Sequence, residues 1–309
     1  MASLQGNRVG RHTYWRIVES KRINGRPRPV LVAYLGRADD LLRRLRSKES
    51  VQVRSRSHGA VAALWNLMTE LDVPGTIDRH LALCGRRSRS AEQDAPHPRP
   101  PRMHDGLSVG QSLTLVAVGR ACQATSKRGF CDWAKTTSLG ELAKVKDLEK
   151  LDSQHFWDQM DQVPLEAIPA IEAEIVHRAV EQFKLPVDTI LYDATNFFTF
   201  IASTNEHTDL AQRGKNKQKR NDLRQVSVAM LCTRQHGIPL WHQTYAGQVA
   251  DATSFHDFFP SICQRLTALK TGPEKLTVVY DKGNVSRANQ ARVDASNLHY
   301  VTGLTVASQ

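Results

Sequence analysis

Two apolar runs of the sequence each end in the dipeptide Tyr-Asp, and these aspartates are the leading candidates for chemistry. Asp193 ends the run that starts at Thr189, and Asp281 ends the run that starts at Leu276. We expect each run to be a β-strand that stops at its aspartate, at the edge where open α/β sheets collect ligands and reactive groups. Taken singly, either aspartate could equally be a turn former or a helix cap.

Two aspartates on neighbouring strands can do together what neither does alone. Mg²⁺ prefers carboxylate and phosphate oxygens. Two such ions held about 3.5–4 Å apart activate the attacking oxygen of a phosphodiester reaction and stabilise the leaving oxygen. Asp193 and Asp281 therefore predict a site for two Mg²⁺ ions, for which Mn²⁺ can substitute, and phosphodiester chemistry at that site.

Positive charge is concentrated at the start of the chain. The 309 residues include 42 Lys and Arg against 31 Asp and Glu, for a net charge of +11. Residues 1–60 hold 14 of the basic and 4 of the acidic residues, so the rest of the chain is nearly neutral. This asymmetry predicts contact with a polyanion, most often nucleic acid. The alternative is a basic tail that only aids solubility.

The composition excludes several other classes of protein. Hydrophobic residues make up 40% and charged residues 24% of the chain, which excludes wholesale disorder and collagen-like or coiled-coil structure. The five scattered cysteines include no Cys-x-x-Cys pair, which argues against a disulfide scaffold and a structural zinc site. The start lacks the apolar core of a signal peptide, and the apolar stretch Leu107–Gly119 is too short to span a bilayer. We expect a cytoplasmic protein with no membrane partner.

The N-terminal segment predicts a basic β-hairpin. His12–Val18 and Pro29–Leu35 are rich in β-branched and aromatic residues, and they flank Asn24-Gly25, a dipeptide suited to a tight hairpin turn. The basic residues around the turn are candidates for contacts with DNA: Lys21, Arg22, Arg26 and Arg28. The alternative is an exposed basic hairpin without a partner.

The next part of the chain predicts helices. Apolar residues recur at helical spacing from His58, and Pro74-Gly75 breaks the pattern before a short second helix, which leaves a helix–turn–helix possible. Further helices are expected at 107–123, 138–148 and 153–162, and a longer one from Pro164. We divide the chain into a basic hairpin segment (1–50), a helical, possibly DNA-binding segment (51–84), a Pro/Arg-rich linker (85–106), a helical region (107–185) and a mixed α/β region (186–309).

The last region predicts a mixed α/β fold. The expected order is three strands, a helix over 251–269, and two strands, of which the last spans His299–Val306. A basic run follows the first strand and can contact the DNA backbone or be a solvated loop. Its cations are Arg213, Lys215, Lys217, Lys219, Arg220 and Arg224.

Several short motifs, in this order and at these spacings, resemble the DDE transposases of bacterial insertion sequences, and the resemblance covers nearly the whole chain. The motifs are Tyr34–Gly36, Ser126–Trp133, Asp193–Phe200, Arg213–Arg224, Gly237–Leu240, Gly247–Phe255 and Asp281–Asn284. The resemblance implies a ribonuclease H-like catalytic domain in the mixed α/β region. It also implies double-stranded DNA partners at element ends and at the target, a homodimer in the complete enzyme, and a bacterial, nucleoid-associated location.

The resemblance assigns roles to individual residues. Asp193 and Asp281 match the first and second catalytic carboxylates and would hold two metal ions, while Thr195 and Asn196 would help to orient the site. Asp251 lies in the match to the family's Gly-Asn-x-x-Asp turn, in which Gln248 here replaces Asn. We expect Asp251 to be the N-cap of the following helix.

Two further residues follow the second carboxylate. Lys282 and Asn284 are close enough along the chain to meet DNA near the cut, although Lys282 could equally be a solvated turn residue.

The third carboxylate of the family pattern is missing from this sequence. The family supplies a Glu from a helix after the last strand, in a Tyr-x2-Arg-x3-Glu-x6-Lys arrangement. Here the sequence stops at Gln309, and the one Glu after Glu206 is Glu274, which precedes Asp281. We expect a truncated transposase with weak metal occupancy and little or no cleavage by this chain alone. The first alternative is a non-catalytic DNA-binding remnant that could inhibit transposition, and the second is another two-metal phosphoesterase.

Overall fold

The computed structural model describes residues 2–23, 25–46, 55–91, 102–202, 204–216, 218–269, 276–296 and 298–303. The chain forms two compact units, residues 1–55 and residues 56–309. In these described ranges, no helix is both long and apolar enough to cross a membrane.

The first unit is a three-stranded antiparallel sheet followed by a helix. Its strands are β1 (Ala2–Val9), β2 (His12–Ile23) and β3 (Arg26–Arg37), and its helix is α1 (Ala38–Arg46). The hairpin of β2 and β3 lies where the sequence predicts it, with Gly25 at a φ of +78°, while Asn24 lies outside the described residues. The strand β1 was not predicted, because its mostly polar residues lack the apolar alternation of a strand. Backbone pairing with β2 along its whole length holds it in the sheet.

The second unit begins with a helical layer. Its helices are α2 (Gly59–Glu70), α3 (Val73–Ala91), α4 (Val109–Cys122), α5 (Phe130–Lys135), α6 (Leu139–Leu142), α7 (Ser153–Met160) and α8 (Ile168–Phe183). The expected break between two helices is confirmed, but it lies at Leu71-Asp72, between α2 and α3, rather than at Pro74-Gly75. Pro74 lies in the first turn of α3, where a missing N–H costs no helical hydrogen bond. α3 continues to Ala91, into the stretch predicted as a linker, and residues 92–101 lie outside the described ranges.

The rest of the second unit is a five-stranded mixed sheet with two more helices. The strands are β4 (Thr189–Thr199), β5 (Arg224–Thr233), β6 (Pro239–Ala246), β7 (Thr277–Tyr280) and β8 (His299–Thr302), and the helices are α9 (Asp251–Ala268) and α10 (Arg287–Asp294). The sheet order is β6-β5-β4-β7-β8, with β5 antiparallel to its neighbours and β4, β7 and β8 parallel. The predicted fold class, a mixed α/β region built around a mixed sheet, is confirmed.

One face of this sheet forms the core with α9. Tyr192 of β4 meets the ring of Phe255 edge-on with centroids 4.9 Å apart, and Tyr280 of β7 contacts the same ring at 4.8 Å. The alternate residues of β4 point to the opposite face, where Leu191 and Phe197 are exposed. Asp193 belongs to this second set, so it lies on the solvent-facing side of a strand whose other side is anchored in the core.

Candidate active site

The pairing of β4 with β7 brings the two predicted aspartates side by side. The parallel register runs from Thr189 opposite Thr277 to Tyr192 opposite Tyr280. Each aspartate is the next residue after the last pair. Because hydrogen-bonded strands lie about 4.8 Å apart, Asp193 and Asp281 leave this pairing as close neighbours.

The two aspartates differ in backbone setting, and one prediction about them is wrong. Asp281 follows the end of β7, as expected, and caps a short 3₁₀ turn over Lys282–Asn284. Asp193, by contrast, lies within β4, which continues to Thr199. The strand continues because the residues after Asp193 pair with the first half of β5, where β7 no longer reaches.

Each aspartate uses one carboxylate oxygen on its own backbone. Oδ1 of Asp193 accepts a hydrogen bond from the N–H of Ala194 at 2.8 Å, and Oδ1 of Asp281 accepts one from the N–H of Lys282, also at 2.8 Å. Both residues are exposed. These local bonds fix the carboxylates in orientation while their second oxygens remain at the surface of the site.

A third carboxylate, that of Asp251, lies at the same place. The expectation that Asp251 caps α9 is wrong, because the N-cap is Ala250, no side chain caps this helix, and Asp251 is its first residue. Oδ2 of Asp251 and Oδ2 of Asp281 both lie 3.7 Å from the position that a Cβ would occupy at Gly283. The two oxygens are therefore separated by no more than twice that distance.

The three aspartates line one cavity of about 560 Å³. Its wall contains residues from β4, the basic run, the β6–α9 connection and the turn after β7. They are Asp193, Ala194, Thr195, Asn196, Lys215, Asn216, Gln218, Gly247, Gln248, Val249, Ala250, Asp251, Asp281 and Asn284. The arrangement offers an open, oxygen-rich cavity with a cation at its edge.

Gln225 at the start of β5 holds two walls of this cavity together. Its side chain is fully buried, and Nε2 donates to the carbonyl of Gly247 at 2.8 Å and to the carbonyl of Lys215 at 3.2 Å. A Cβ at Gly214 would lie 2.0 Å from the carbonyl oxygen of Gly247, and one at Gly247 would lie 2.1 Å from that of Gln225. Only glycine allows these backbones to approach so closely, which explains both glycines.

Some cations of the basic run line the cavity, and others form contacts away from it. Lys215 lines the cavity and is exposed. Arg220 instead forms a paired contact with Asp222, with both N–O distances 2.8 Å, and Arg224 donates to the carbonyl of Asn205 at 2.7 Å. Arg213 and Lys219 are exposed but do not line the cavity, and Lys217 lies outside the described residues.

The remaining predicted site residues differ in their exposure and in whether they line the cavity. Thr195 is exposed in the cavity wall, and Asn196 accepts a hydrogen bond from Ser227 at 2.7 Å through its Oδ1. Asn284 is buried, and its Nδ2 donates to the carbonyl of Asp281 at 3.4 Å. Lys282 is exposed and is not part of the wall.

The basic residues of the predicted hairpin belong to the first unit. Their side chains are exposed at the β2–β3 end: Lys21, Arg22, Arg26 and Arg28. Lys21 forms an ion pair with Glu19 at 3.7 Å, and both partners are well exposed. These cations remain accessible, because an exposed pair of this kind contributes little stability and is readily exchanged.

The tyrosines that precede the two aspartates, Tyr192 and Tyr280, are buried and uncharged. Burial raises the pKa of the Tyr192 hydroxyl well above its usual range, and the charges of Asp251 and Asp193 act in the same direction. Burial likewise raises the pKa of Tyr280, to about 12. Both tyrosine hydroxyls therefore remain uncharged near neutral pH.

A second group of ligand-type side chains lies in the helical layer. His104, Asp105 and His155 each offer one ligand atom, and these atoms lie within 4.8 Å of one another, so the group could hold a metal ion. Burial lowers the pKa of His155, while a hydrogen bond with Asp105 opposes this shift. Sequence analysis missed the group because 51 positions separate His104 from His155. The local signal was the dipeptide His104-Asp105 before a glycine.

Comparison with known proteins gives structural neighbours alone. No protein-family model matches the sequence, and no curated protein matches it. Three of the solved structures that match are transposases. A Mos1 transposase paired-end complex with left transposon end has a TM-score of 0.26 and 10% identity, over 70% of this chain and 64% of that chain. A piggyBac transposase synaptic complex with hairpin DNA has a TM-score of 0.39 and 9% identity, over 84% and 53%. A Mos1 strand transfer complex has a TM-score of 0.26 and 12% identity, over 71% and 65%. The chain thus spans less than two thirds of the length of each of these neighbours.

Proposed function

We propose that this chain is a DDE-type transposase of a bacterial insertion sequence, which cleaves and joins phosphodiesters of double-stranded DNA. The observation that carries the proposal is the in-register pairing of Tyr192 with Tyr280, because it makes Asp193 and Asp281 neighbours at the edge of a mixed sheet. The presence of Asp251 in the same cavity adds a third carboxylate.

The donor atoms around the cavity fit a hard divalent cation. The described residues of its wall offer carboxylate, hydroxyl and amide oxygens and include no cysteine or histidine. Mg²⁺ and Mn²⁺ favour such oxygen ligands. Asp193 and Asp281 would hold the ions, with Asp251 as an additional ligand. When bound, two such ions supply Lewis acidity and a nucleophile at neutral pH.

Exposed cations of each unit would bind the DNA backbone. Lys215 is exposed in the cavity wall, where it can contact a phosphate next to the scissile bond. The hairpin cations of the first unit can contact other phosphates of the duplex, because they are exposed and cluster at one end of a β-ribbon. These contacts position the duplex and raise affinity without reading its sequence.

The proposed reaction has two steps at one site. Water first attacks the phosphodiester at the end of the element and frees a 3′-hydroxyl, and that hydroxyl then attacks a target phosphodiester. The second step exchanges one phosphodiester for another, so it needs neither ATP nor a covalent protein intermediate. Two copies of the chain would bring the two ends of the element together.

One observation favours a second candidate, a DNA-binding protein that does not cleave. Among the described residues, the three aspartates are not a compact group, because the one set of three ligand atoms within 4.8 Å lies at His104, Asp105 and His155. A loosely arranged site of this kind would bind metal weakly. Such a protein would still bind element ends and could block an intact enzyme.

A nicking assay separates the two candidates. The purified chain is incubated with supercoiled plasmid that carries the element ends, with Mg²⁺ or Mn²⁺. The catalytic proposal expects metal-dependent nicking that Asp193→Asn and Asp281→Asn abolish. The matched control is Asp188→Asn, at the other end of the strand, where Oδ1 also accepts a hydrogen bond from the next backbone N–H at 2.8 Å. Nicking that persists in Asp193→Asn, or is lost equally in the control, would overturn the site assignment.

DNA binding is measured with the same variants in the absence of metal. The aspartate variants should bind DNA as tightly as the parent chain, because carboxylates do not attract phosphate. Binding without any nicking would establish the non-catalytic candidate. Absence of both would rule out both candidates.

A further inference from the structure

We propose that His104, Asp105 and His155 form a second metal site, separate from the aspartate cavity, which takes a late first-row divalent cation such as Zn²⁺. Three ligand atoms already lie together at this point of the helical layer: Nδ1 of His104, Nδ1 of His155 and Oδ2 of Asp105. The proposal does not depend on the function proposed for the aspartates.

The loop before α4 is shaped to present two of these side chains. His104 and Leu107 exchange both backbone hydrogen bonds at 3.0 Å, which closes a tight turn. The two residues inside the turn, Asp105 and Gly106, have φ values of +51° and +78°. A non-glycine residue in the left-handed region is uncommon and indicates a turn held by its surroundings. The turn places His104 and the strained Asp105 against α7.

The third side chain comes from α7 and is fully enclosed. His155 is two residues after the start of α7, and its backbone N–H donates to the side chain of the N-cap residue Asp152 at 2.9 Å. Its imidazole has no exposed surface, whereas the side chains of His104 and Asp105 are 44% and 27% exposed. The group therefore has a buried base and an open side towards solvent.

The distances resemble the edges of a metal coordination polyhedron. The Nδ1 atoms of the two histidines are 2.8 Å apart, and Oδ2 of Asp105 is 3.2 Å from Nδ1 of His155 and 3.3 Å from Nδ1 of His104. Tetrahedral Zn²⁺ with bonds of about 2.0–2.2 Å separates adjacent ligand atoms by about 3.3–3.5 Å. The carboxylate distances lie close to that range, and a small rotation of the half-exposed His104 ring brings the shorter distance into it.

Hydrogen bonds between uncharged imidazoles do not account for the triangle. A neutral imidazole carries one N–H. If both Nδ1 atoms carry a proton, the two N–H groups face each other. If either Nδ1 lacks it, a lone pair of that nitrogen faces the ionised carboxylate of Asp105. Every such arrangement leaves at least one repulsive pair, and a cation between the three atoms removes all of them.

An outer hydrogen bond completes the pattern of a metal-binding histidine. Nε2 of His155 lies 3.0 Å from Oγ of the fully buried Ser112 on α4. A ligating imidazole typically donates its second N–H to such a partner, which fixes its tautomer and ring orientation. Two imidazole nitrogens and one carboxylate suit Zn²⁺ and its neighbours in the first row, rather than Mg²⁺. The fourth position faces solvent and would hold water.

The test uses Zn²⁺ alone as the probe, with the full chain stripped of metal by a chelator that is then removed. Competition with a chromophoric chelator should show one tight equivalent, and bound Co²⁺ should give the visible absorption of a tetrahedral site. His104→Ala is the main variant, because a half-exposed side chain can be removed without opening the core. It should lose the tight equivalent. Ser112→Ala should weaken affinity by about tenfold or more.

Two controls separate this site from other histidines and from the aspartates. His177→Ala removes a partly exposed histidine that pairs with Glu181 on α8 and has no third ligand among the described residues, and it should leave Zn²⁺ binding unchanged. Asp193→Asn should also retain the tight equivalent, so failure of the proposed function would not affect this result. The proposal is wrong if the parent chain binds no tight equivalent, or if His104→Ala binds Zn²⁺ as the parent chain does.

Discussion

The buried side chain of Gln225 donates a hydrogen bond to the carbonyl of Gly247 at 2.8 Å, across the two segments that wall the aspartate cavity. The same Nε2 reaches the carbonyl of Lys215 at 3.2 Å. One amide thus positions both the basic run and the connection that leads to Asp251.

Gln225→Leu should destabilise the protein by about 1–3 kcal/mol, because it leaves two backbone carbonyls without their donor. Urea denaturation measures the change. Gln243→Leu is the matched control, since Gln243 is exposed on β6 and its side chain donates, within the described part of the chain, to the carbonyl of the next residue. That control should stay within about 0.5 kcal/mol of the parent. Equal losses in the two variants would mean that the Gln225 bonds are unimportant.

Gly247→Ala should cost about 1–3 kcal/mol, because its Cβ would lie 2.1 Å from the carbonyl oxygen of Gln225 and the backbone would have to move. Gly59→Ala is the control, at the first residue of α2 with open space around the new Cβ. It should be neutral or stabilising by up to about 1 kcal/mol. Thermal or urea unfolding compares the two, and an unaffected Gly247→Ala protein would contradict the close approach.

Lys215→Ala should weaken binding to any duplex and lower the steepness of its salt dependence. Each lost phosphate contact reduces the slope of log K against log salt by about 0.9. Fluorescence anisotropy over a salt series measures the slope. Lys146→Ala, an exposed lysine of the helical layer away from the cavity, should leave it unchanged. An unaltered slope in Lys215→Ala would remove this residue from the DNA interface.

Part of the folding stability should depend on the charge of His242. A hydrogen bond that His242 donates to the carboxylate of Glu172 raises the pKa of His242 above its ordinary value of 6.5, whereas burial lowers it. Because the folded form binds the proton more tightly, this contribution is complete below the unfolded pKa and is lost as the pH rises through the folded pKa. The free energy of unfolding should therefore decrease more between about pH 6 and about pH 8 in the parent than in His242→Gln. Parallel pH profiles would contradict the assignment.

The sequence predicted those parts of the fold whose signals are local. Both strands that carry the aspartates contain apolar, β-branched residues, and with the helix expected over 251–269 their order was enough to predict a mixed α/β arrangement. The end of β4 was predicted at Asp193, but pairing with β5 extends the strand beyond it. A local sequence pattern does not reveal this pairing, because β5 is distant in the sequence. The strand β1 was missed for the same reason: backbone pairing with β2 holds it in the sheet, although its polar sequence lacks the pattern of a strand.

The candidate site likewise has features that the local sequence predicted and features that depend on tertiary structure. Asp193 and Asp281 could be identified from their positions after tyrosines, but their proximity depends on a parallel register that only the folded sheet defines. Asp251 was interpreted as a helix cap because its place at the start of α9 fits one. Its approach to Asp281 arises from the turn at Gly283, a contact between segments 30 residues apart. Residues that are brought together by tertiary contacts alone have no characteristic spacing in the sequence by which they could be recognised.

The register between β4 and β7 also determines which mutations the site can survive. Side chains alternate between the two faces of a strand, so one inserted or deleted residue before Asp193 would turn its carboxylate from the solvent side to the side of α9. The connection between β5 and β6, residues 234–238, is not part of the cavity wall and can change length without moving either aspartate. Insertions and deletions should therefore be tolerated in that connection and should disrupt the aspartate cavity when they fall within β4 or β7, even where the inserted residue is chemically innocuous.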